Sequence, residues 1–284
     1  MLSGKANAMA RWVILSSSLY FIPIADGITE CISRHPVARN GRLTGFFNSR
    51  LKELSQLKVS AVLFDLFETL VTEFSDGKRI SNRFYNYLEL LGIPNSEFKQ
   101  EWGNRISERM TGAFADYPSV VRDILSKRGL NINEESIEYL YQQRLREKEI
   151  PFRQIRPEII DLLSFLKSKK IKLGLVSNCS EEEVRQWSAS GISTYFDDTI
   201  FSYEIGYAKP DVMIYKLACE RLNIEPSEII FVGDGGSDEL MGAYRAGITP
   251  FHAVWFNTHV ESNFAKLASP MMLKEMINDN FLIP

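Results

Sequence analysis

From residue 58 onward, short β-branched apolar runs alternate with segments whose apolar residues recur every three or four positions. The run "KVSAVLFD" (58–65) predicts a buried strand. Residues 80–150 then read as almost entirely helical, with no convincing strand. There "SNRFYNYLELLG" has helical spacing and ends at Gly92, and "PSVVRDILSKRG" opens on a proline and ends at Gly129. "NEESIEYLYQQRLREKE" follows, with a capping Asn133 and an acidic first turn. Next comes the helix "RPEIIDLLSFLKSKK". Beyond it the strands "IKLGLVSN", "DDTIFSY", "SEIIFVGD" and "TPFHAVWF" are separated by the helices "SEEEVRQWSASG", "KPDVMIYKLACERLN" and "SDELMGAYRAG". Strands spaced by helices of this length are βαβ units, which predicts an α/β protein with a parallel sheet and right-handed crossovers. The core domain is expected over residues 58–78 and 153–284, with an inserted helical subdomain over 79–152.

The first 57 residues break this rhythm and are expected to form a flexible or weakly ordered leader. Up to Lys52 they carry seven Lys or Arg against two acidic residues. Residues 12–25 are apolar but too short to span a bilayer as a helix, so no stable membrane insertion is expected. A formal net charge of −3 gives no basis for nucleic-acid binding. Cys31, Cys179 and Cys219 are odd in number and far apart, which fits neither a disulfide framework nor a C-x-x-C metal site. They point to a reducing compartment, hence the cytoplasm, with export as the alternative if residues 1–25 act as a signal. His35, His252 and His259 read as surface or partly buried residues rather than metal ligands.

Chemistry concentrates where the predicted strands end, since ligands of open parallel sheets bind beyond the strands' carboxyl ends. The first strand ends in Asp65, with Thr69 four residues on, and the second ends in Ser177 and Asn178. The loop after the third carries Lys209, and the fourth ends in Asp234, followed by Asp238 and Glu239. An Asp in such a place can act as a nucleophile. The converging carboxylates repel one another more than one lysine can neutralise, and a hard divalent cation with oxygen ligands fits the set, Mg²⁺ in particular. Lys209 would balance charge on a transferring phosphoryl group, and Ser177 with nearby backbone N–H groups would hold its oxygens.

"VLFDLFETLV", "LGLVSN", "EIGYAKPDVMIY" and "FVGDGGSDELMGAYRAG" together resemble the four motifs of the haloacid dehalogenase superfamily, in order, over residues 58 to about 255. The resemblance implies a Rossmann-like core with a helical cap between the first and second motifs. It makes Asp65 the nucleophile and Lys209 its stabilising cation, with Ser177, Asn178 and Thr69 at the substrate. Asp65, the Phe67 backbone carbonyl and Asp234 become metal ligands. Spacing from Asp234 favours Asp238 as the further acidic ligand, whereas counting back from "GAYRAG" favours Glu239; Asp238 is preferred.

Phe67 departs from the pattern. Most phosphatases of the superfamily carry there an Asp that protonates the leaving oxygen and then activates water. Losing a placed general acid costs about 10²–10⁴ in rate. Three readings follow. The first is a Mg²⁺-dependent phosphatase acting on a small phosphorylated metabolite through an aspartyl-phosphate, whose leaving group needs little protonation or whose acid is relocated to a cap residue such as Glu108, Asp116 or an Arg. The second is a 2-haloacid dehalogenase, whose halide leaves without a proton and which uses no metal; the acidic cluster argues against it. The third is a non-catalytic module. Arg105, Arg109 and Tyr117 of the cap are candidate substrate contacts, each also readable as part of a solvated helix face.

Overall fold

The computed structural model describes residues 11–15, 18–22, 58–75, 77–81 and 84–280. Within the expected leader it describes an antiparallel pair, β1 (Arg11–Leu15) and β2 (Ser18–Ile22). The remainder of that leader, with Cys31 and His35, lies outside the described residues. The core opens with β3 (Ala61–Phe64), followed by the small antiparallel pair β4 (Phe74–Ser75) and β5 (Lys78–Arg79). Five helices come next: α1 (Tyr87–Leu91), α2 (Asn95–Asn104), α3 (Ile106–Met110), α4 (Tyr117–Lys127) and α5 (Glu134–Arg153). Then come α6 (Pro157–Ser168), β6 (Lys172–Ser177), α7 (Glu181–Val184), β7 (Asp198–Phe201), α8 (Ser202–Ile205) and α9 (Val212–Leu222). The chain closes with β8 (Ile229–Gly233), α10 (Glu239–Arg245), β9 (Thr249–Ala253), β10 (Ala265–Leu267) and α11 (Pro270–Asn280).

Six parallel strands form one sheet in the order β10-β9-β8-β3-β6-β7. The predicted α/β class with an inserted helical cap is therefore the fold observed. β3 lies between β6 and β8, so the chain's return from β7 to β8 makes the topological switch beside the first strand. Every residue of β3 and β8 is buried, as expected for strands covered on both faces. Alternation along them divides the core in two. Val62, Phe64, Ile230 and Val232 join one cluster with Ile159, Leu162, Leu163 and Leu166 of α6. Ala61, Leu63, Ile229 and Phe231 join the other with Ile214, Tyr215, Ala218 and Leu222 of α9.

The cap has its own apolar cluster, including Ile93, Phe98, Tyr117, Val121, Ile124 and Leu140. Asp116 begins α4 with a capping box, accepting from Ser119 N at 2.8 Å while Asp116 N donates to Ser119 Oγ at 3.2 Å. Two predicted helices are shorter than their patterns. "SNRFYNYLELLG" is helical only over Tyr87–Leu91, capped by Asn86, whose Oδ1 accepts from Glu89 N at 3.3 Å. "SEEEVRQWSASG" stops at Val184, because Trp187 N and Ser190 N donate three residues back and Ser190 Oγ takes the Trp187 carbonyl at 2.6 Å. α5 runs past the expected cap boundary to Arg153, with Pro151 inside it.

Cap and core meet closely at Gly112, which adopts φ 73°. A Cβ there would stand 2.0 Å from the Tyr203 carbonyl oxygen on α8. Gly129 has a similar φ of 66°, but nothing lies within 4 Å of its Cβ position. Gly129→Ala should therefore cost about 1 kcal/mol, for the left-handed backbone alone. Gly112→Ala should cost about 3 kcal/mol, because Tyr203 must also move. Equal losses in chemical denaturation would contradict this cap–core contact.

Candidate active site

The sheet ladder carries Asp65 to the site: Asp65 N donates to the Val232 carbonyl at 2.9 Å. The chain then turns sharply, with Leu70 N and Val71 N both donating to the Leu66 carbonyl. Trp255 Nε1 fixes this turn by donating to the Thr69 carbonyl at 2.8 Å. Thr69 Oγ1 thereby reaches Asp65 Oδ2 at 3.3 Å. Glu68 takes a left-handed φ of 58°, and its carboxylate turns to Thr72 Oγ1 (2.6 Å) and Glu73 N (2.8 Å). Ser237 (φ 54°) and Asp238 (φ 52°), in the loop after β8, share that unusual backbone region. Such geometry outside glycine persists where surrounding structure enforces it.

Lys209 binds the carboxylates together. Its Nζ lies 2.5 Å from Asp65 Oδ1 and 2.5 Å from Glu239 Oε2, with only 5% of the residue exposed. Asp65, Asp234 and Glu239 are all buried, and their oxygens gather within 4.8 Å of one another. Asp238 is exposed and stands outside that group. Of the two acidic candidates after β8, the geometry favours Glu239 over the preferred Asp238. A left-handed Asp238 caps the start of α10, so the next side chain is the one that folds back over Gly235 N, at 3.0 Å.

Burial and the charges of Asp65 and Asp234, against the pull of Lys209, push the Glu239 carboxyl up to about 8. Burial also raises Asp65, with Lys209 opposing and Asp234 assisting. The Lys209 ammonium is held well above its usual range, although burial opposes this, because Asp65 and Glu239 face it. One cation thus bridges two of three clustered carboxylates. The donor set is hard oxygen of uniform sign, which suits a divalent cation such as Mg²⁺.

The predicted residues divide by what they touch. Asn178 turns its amide to the backbone of Lys209, donating to its carbonyl at 2.8 Å and accepting from its N at 2.7 Å. It positions the lysine. Ser177 Oγ is wholly buried and has no hydrogen-bond partner. Phe67 packs edge-on to Phe152 of α5, with ring centroids 6.3 Å apart, and Lys148 Nζ lies 5.0 Å from its ring. In the cap, Arg105 is tied to Asp123 and Glu101, at 2.8 and 2.6 Å. Tyr117 is buried in the cap's aromatic stack, Asp116 caps α4 and Glu108 is exposed.

Sequence reasoning missed several supporting groups. Asp234 Oδ2 accepts from Asn257 Nδ2 at 2.8 Å and Oδ1 from Gly236 N at 2.9 Å. His252 is fully buried, closer packed than its sequence suggested, with Nε2 2.8 Å from the Asp234 carbonyl and Nδ1 2.9 Å from Ser262 Oγ. Burial lowers its pKa. Across the cap–core seam, three successive glutamates of α7 meet one face of α5. Tyr141 donates to Glu181 (3.0 Å), Arg144 to Glu182 (2.6 Å) and Glu183 (3.0 Å), and Lys148 pairs with Glu183 (2.7 Å) and Glu73 (3.0 Å). Positions 141, 144 and 148 have one-face spacing, a signal present in the sequence, but their partners are 35 or more residues away and invisible to local pattern.

Lys209→Met should destabilise the metal-free protein by about 3–5 kcal/mol, because two buried carboxylates lose their counter-charge. Both carboxyls would then titrate still higher in the folded state, which binds protons the unfolded chain has released. Stability of the variant should therefore fall more steeply than that of the native protein as pH rises from 5 to 8. Parallel stability–pH curves would contradict the bridging role.

Comparisons with known proteins agree with this geometry. The family model of haloacid dehalogenase-like hydrolases matches residues 59–245. The chain is 25% identical over 230 residues to the glyceraldehyde 3-phosphate phosphatase of Methanothermobacter thermautotrophicus, covering 72% of this chain and 92% of that one. It is 24% identical over 216 residues to the (S)-2-haloacid dehalogenase 1 of a Pseudomonas species, covering 73% and 89%. A HAD phosphatase from Thermococcus onnurineus shares the fold with a TM-score of 0.53 and 22% identity, over 78% of this chain and 99% of that one. With its matched motifs set at the strand ends of one parallel sheet, the chain belongs to the haloacid dehalogenase-like hydrolases.

Proposed function

We propose that the protein is a Mg²⁺-dependent phosphatase acting on a small phosphorylated metabolite through an aspartyl-phosphate on Asp65. The observation that supports it best is the trio Asp65, Asp234 and Glu239, gathered within 4.8 Å of one another, with Lys209 bridging two of them. A dehalogenase working without metal would have to keep that excess of negative charge buried. Asp65, Asp234, Glu239 and the Phe67 carbonyl are the groups proposed to hold Mg²⁺, which when bound neutralises the carboxylates and the phosphoryl oxygens.

Lys209 holds Asp65 Oδ1, which leaves Oδ2, with its long contact to Thr69, as the attacking atom. As Oδ2 bonds to phosphorus, the ester P–O bond breaks and the alcohol oxygen departs with its electron pair. Ser177 Oγ, buried and unpartnered, donates to a phosphoryl oxygen. Water then attacks phosphorus, its proton balancing, through solvent, the one taken up by the departed alkoxide, and the P–O bond to Asp65 breaks with its electron pair going to the carboxylate. The first step is the one that feels the leaving group, because Phe67 offers no proton to the departing alcohol; the second equally lacks a base at position 67 to activate water. Glu68 does not replace the missing acid, since its carboxylate oxygens already accept from Thr72 and Glu73.

Rate should therefore depend steeply on leaving-group pKa across a series of phosphate esters in Mg²⁺. Nitrophenyl and acyl phosphates should react fastest. Phe67→Asp should flatten the series and speed the poor leaving groups by up to about 10²–10⁴. An aspartate beside Phe152 and Lys148 keeps less than the full gain if those neighbours misorient it. A flat series in the native protein would mean that another group already supplies the proton. Activity persisting in EDTA, with halide released from 2-chloropropionate, would replace the phosphatase reading with the dehalogenase one.

A further inference from the structure

Asp65 and Asp234 follow neighbouring strands, β3 and β8, and one short segment of the chain reaches both. That segment leaves β9, which lies on the far side of β8 from β3. Trp255 Nε1 crosses to the turn after β3 and donates to the Thr69 carbonyl at 2.8 Å. Thr69 Oγ1 in turn contacts Asp65 Oδ2 at 3.3 Å. Two residues after Trp255, Asn257 Nδ2 donates to Asp234 Oδ2 at 2.8 Å. The segment has a fixed base. Trp255 and Phe256 pack on the apolar cluster of β3, β8 and α6, and Arg156, at the start of α6, lies over the Phe256 ring at 4.4 Å. His252 in β9 meets the Asp234 carbonyl at 2.8 Å.

Asn257 is itself oriented. Its Oδ1 accepts from His259 N at 3.0 Å, which turns the amide nitrogen toward Asp234. Gly236 N donates to the other Asp234 oxygen, Oδ1, at 2.9 Å. A donor on each oxygen stops the carboxylate turning about its Cβ–Cγ bond. Each oxygen still keeps a lone pair for a further partner. An Asp234 oxygen lies within 4.8 Å of oxygens of Asp65 and Glu239, so the carboxylate is locked with a face toward the cluster. Of the two donors, only Asn257 belongs to a side chain.

We propose, resting on the Mg²⁺-dependent reading of this site, that Trp255 and Asn257 are positioning residues that jointly set the spacing of Asp65 and the orientation of Asp234. Neither touches the cation; each acts through a carboxylate, Trp255 by way of the Thr69 turn. The segment thereby shapes the site for a small cation of strict geometry. Mg²⁺ demands near-ideal octahedral coordination at about 2.0–2.1 Å, whereas Ca²⁺ accepts flexible arrangements at about 2.3–2.6 Å. A carboxylate free to turn therefore penalises Mg²⁺ more than Ca²⁺. Groups that orient metal ligands from behind are typically worth about 10–100-fold in metal affinity.

The test titrates the substrate-free protein with Mn²⁺, reading the free ion by electron paramagnetic resonance, and competes it with Mg²⁺ and with Ca²⁺. Asn257→Leu keeps the side-chain size and removes the donor. It should weaken Mg²⁺ binding by about 10–100-fold and Ca²⁺ binding by less, so that selectivity for Mg²⁺ falls. Trp255→Phe keeps an aromatic ring without the N–H, and should shift selectivity in the same direction by a smaller factor. Misfolded protein lowers the number of sites, not the dissociation constant of those that remain. Unchanged selectivity in either variant, including an equal loss of both ions, would overturn the joint positioning role. Native protein that takes up none of the three ions would overturn the Mg²⁺ reading itself, and this role with it.

Discussion

A single buried ammonium among three carboxylates constrains the rest of this molecule. Lys209 reaches Asp65 from the first strand of the core and Glu239 from the helix after β8, with Asp234 alongside. Like charges at this separation are costly in a protein interior. Much of the neighbouring structure holds them in place. Asn178 grips the Lys209 backbone, Tyr215 donates to the Glu239 carbonyl at 2.6 Å, Gly235 N takes Glu239 Oε1, and Asn257 takes Asp234. The remaining excess of negative charge is what makes the site suited to a cation and to an electrophile.

The cap supplies what the core lacks. Its long helix α5 brings Phe152 and Lys148 against Phe67, and Tyr141 and Arg144 against α7. Lys148 and Arg144, prevailing over the cost of burial, hold the Glu183 carboxyl well below its ordinary range, so the seam stays ionic at neutral pH. An aromatic ring at position 67 packs between Phe152 and the ion-paired Lys148 where an acid would otherwise stand. The cap thus reaches the core beside Phe67, while the clustered carboxylates lie at the strand ends.

Much of this was legible in the sequence. The alternation of strands and helices identified the parallel sheet, and the order of Asp65, Ser177, Lys209 and Asp234 placed them at one edge, because strand direction fixes which ends converge. Local pattern was ambiguous at Asp238 and Glu239, where two adjacent acids fit one spacing and a left-handed backbone at Asp238 decides which turns inward. Asn178 was legible as a site residue, but its attachment to the Lys209 backbone depends on a contact 31 residues distant. His252 looked ordinary in the sequence because its burial comes from the loop around Ser262 and the carbonyl of Asp234. The β4–β5 pair, β10 and α11 carried patterns too short or too weak to predict.

The covalent step at Asp65 is the claim on which the functional reading stands. It is tested most directly by quenching the enzyme during turnover of nitrophenyl phosphate in Mg²⁺, reducing with borohydride, and reading the residue at position 65 by peptide mass. An aspartyl-phosphate is reduced to homoserine, whereas a free aspartate is not. Homoserine at position 65, appearing only with substrate, is the expected result. Phosphate release with Asp65 unmodified at every quench time would contradict it.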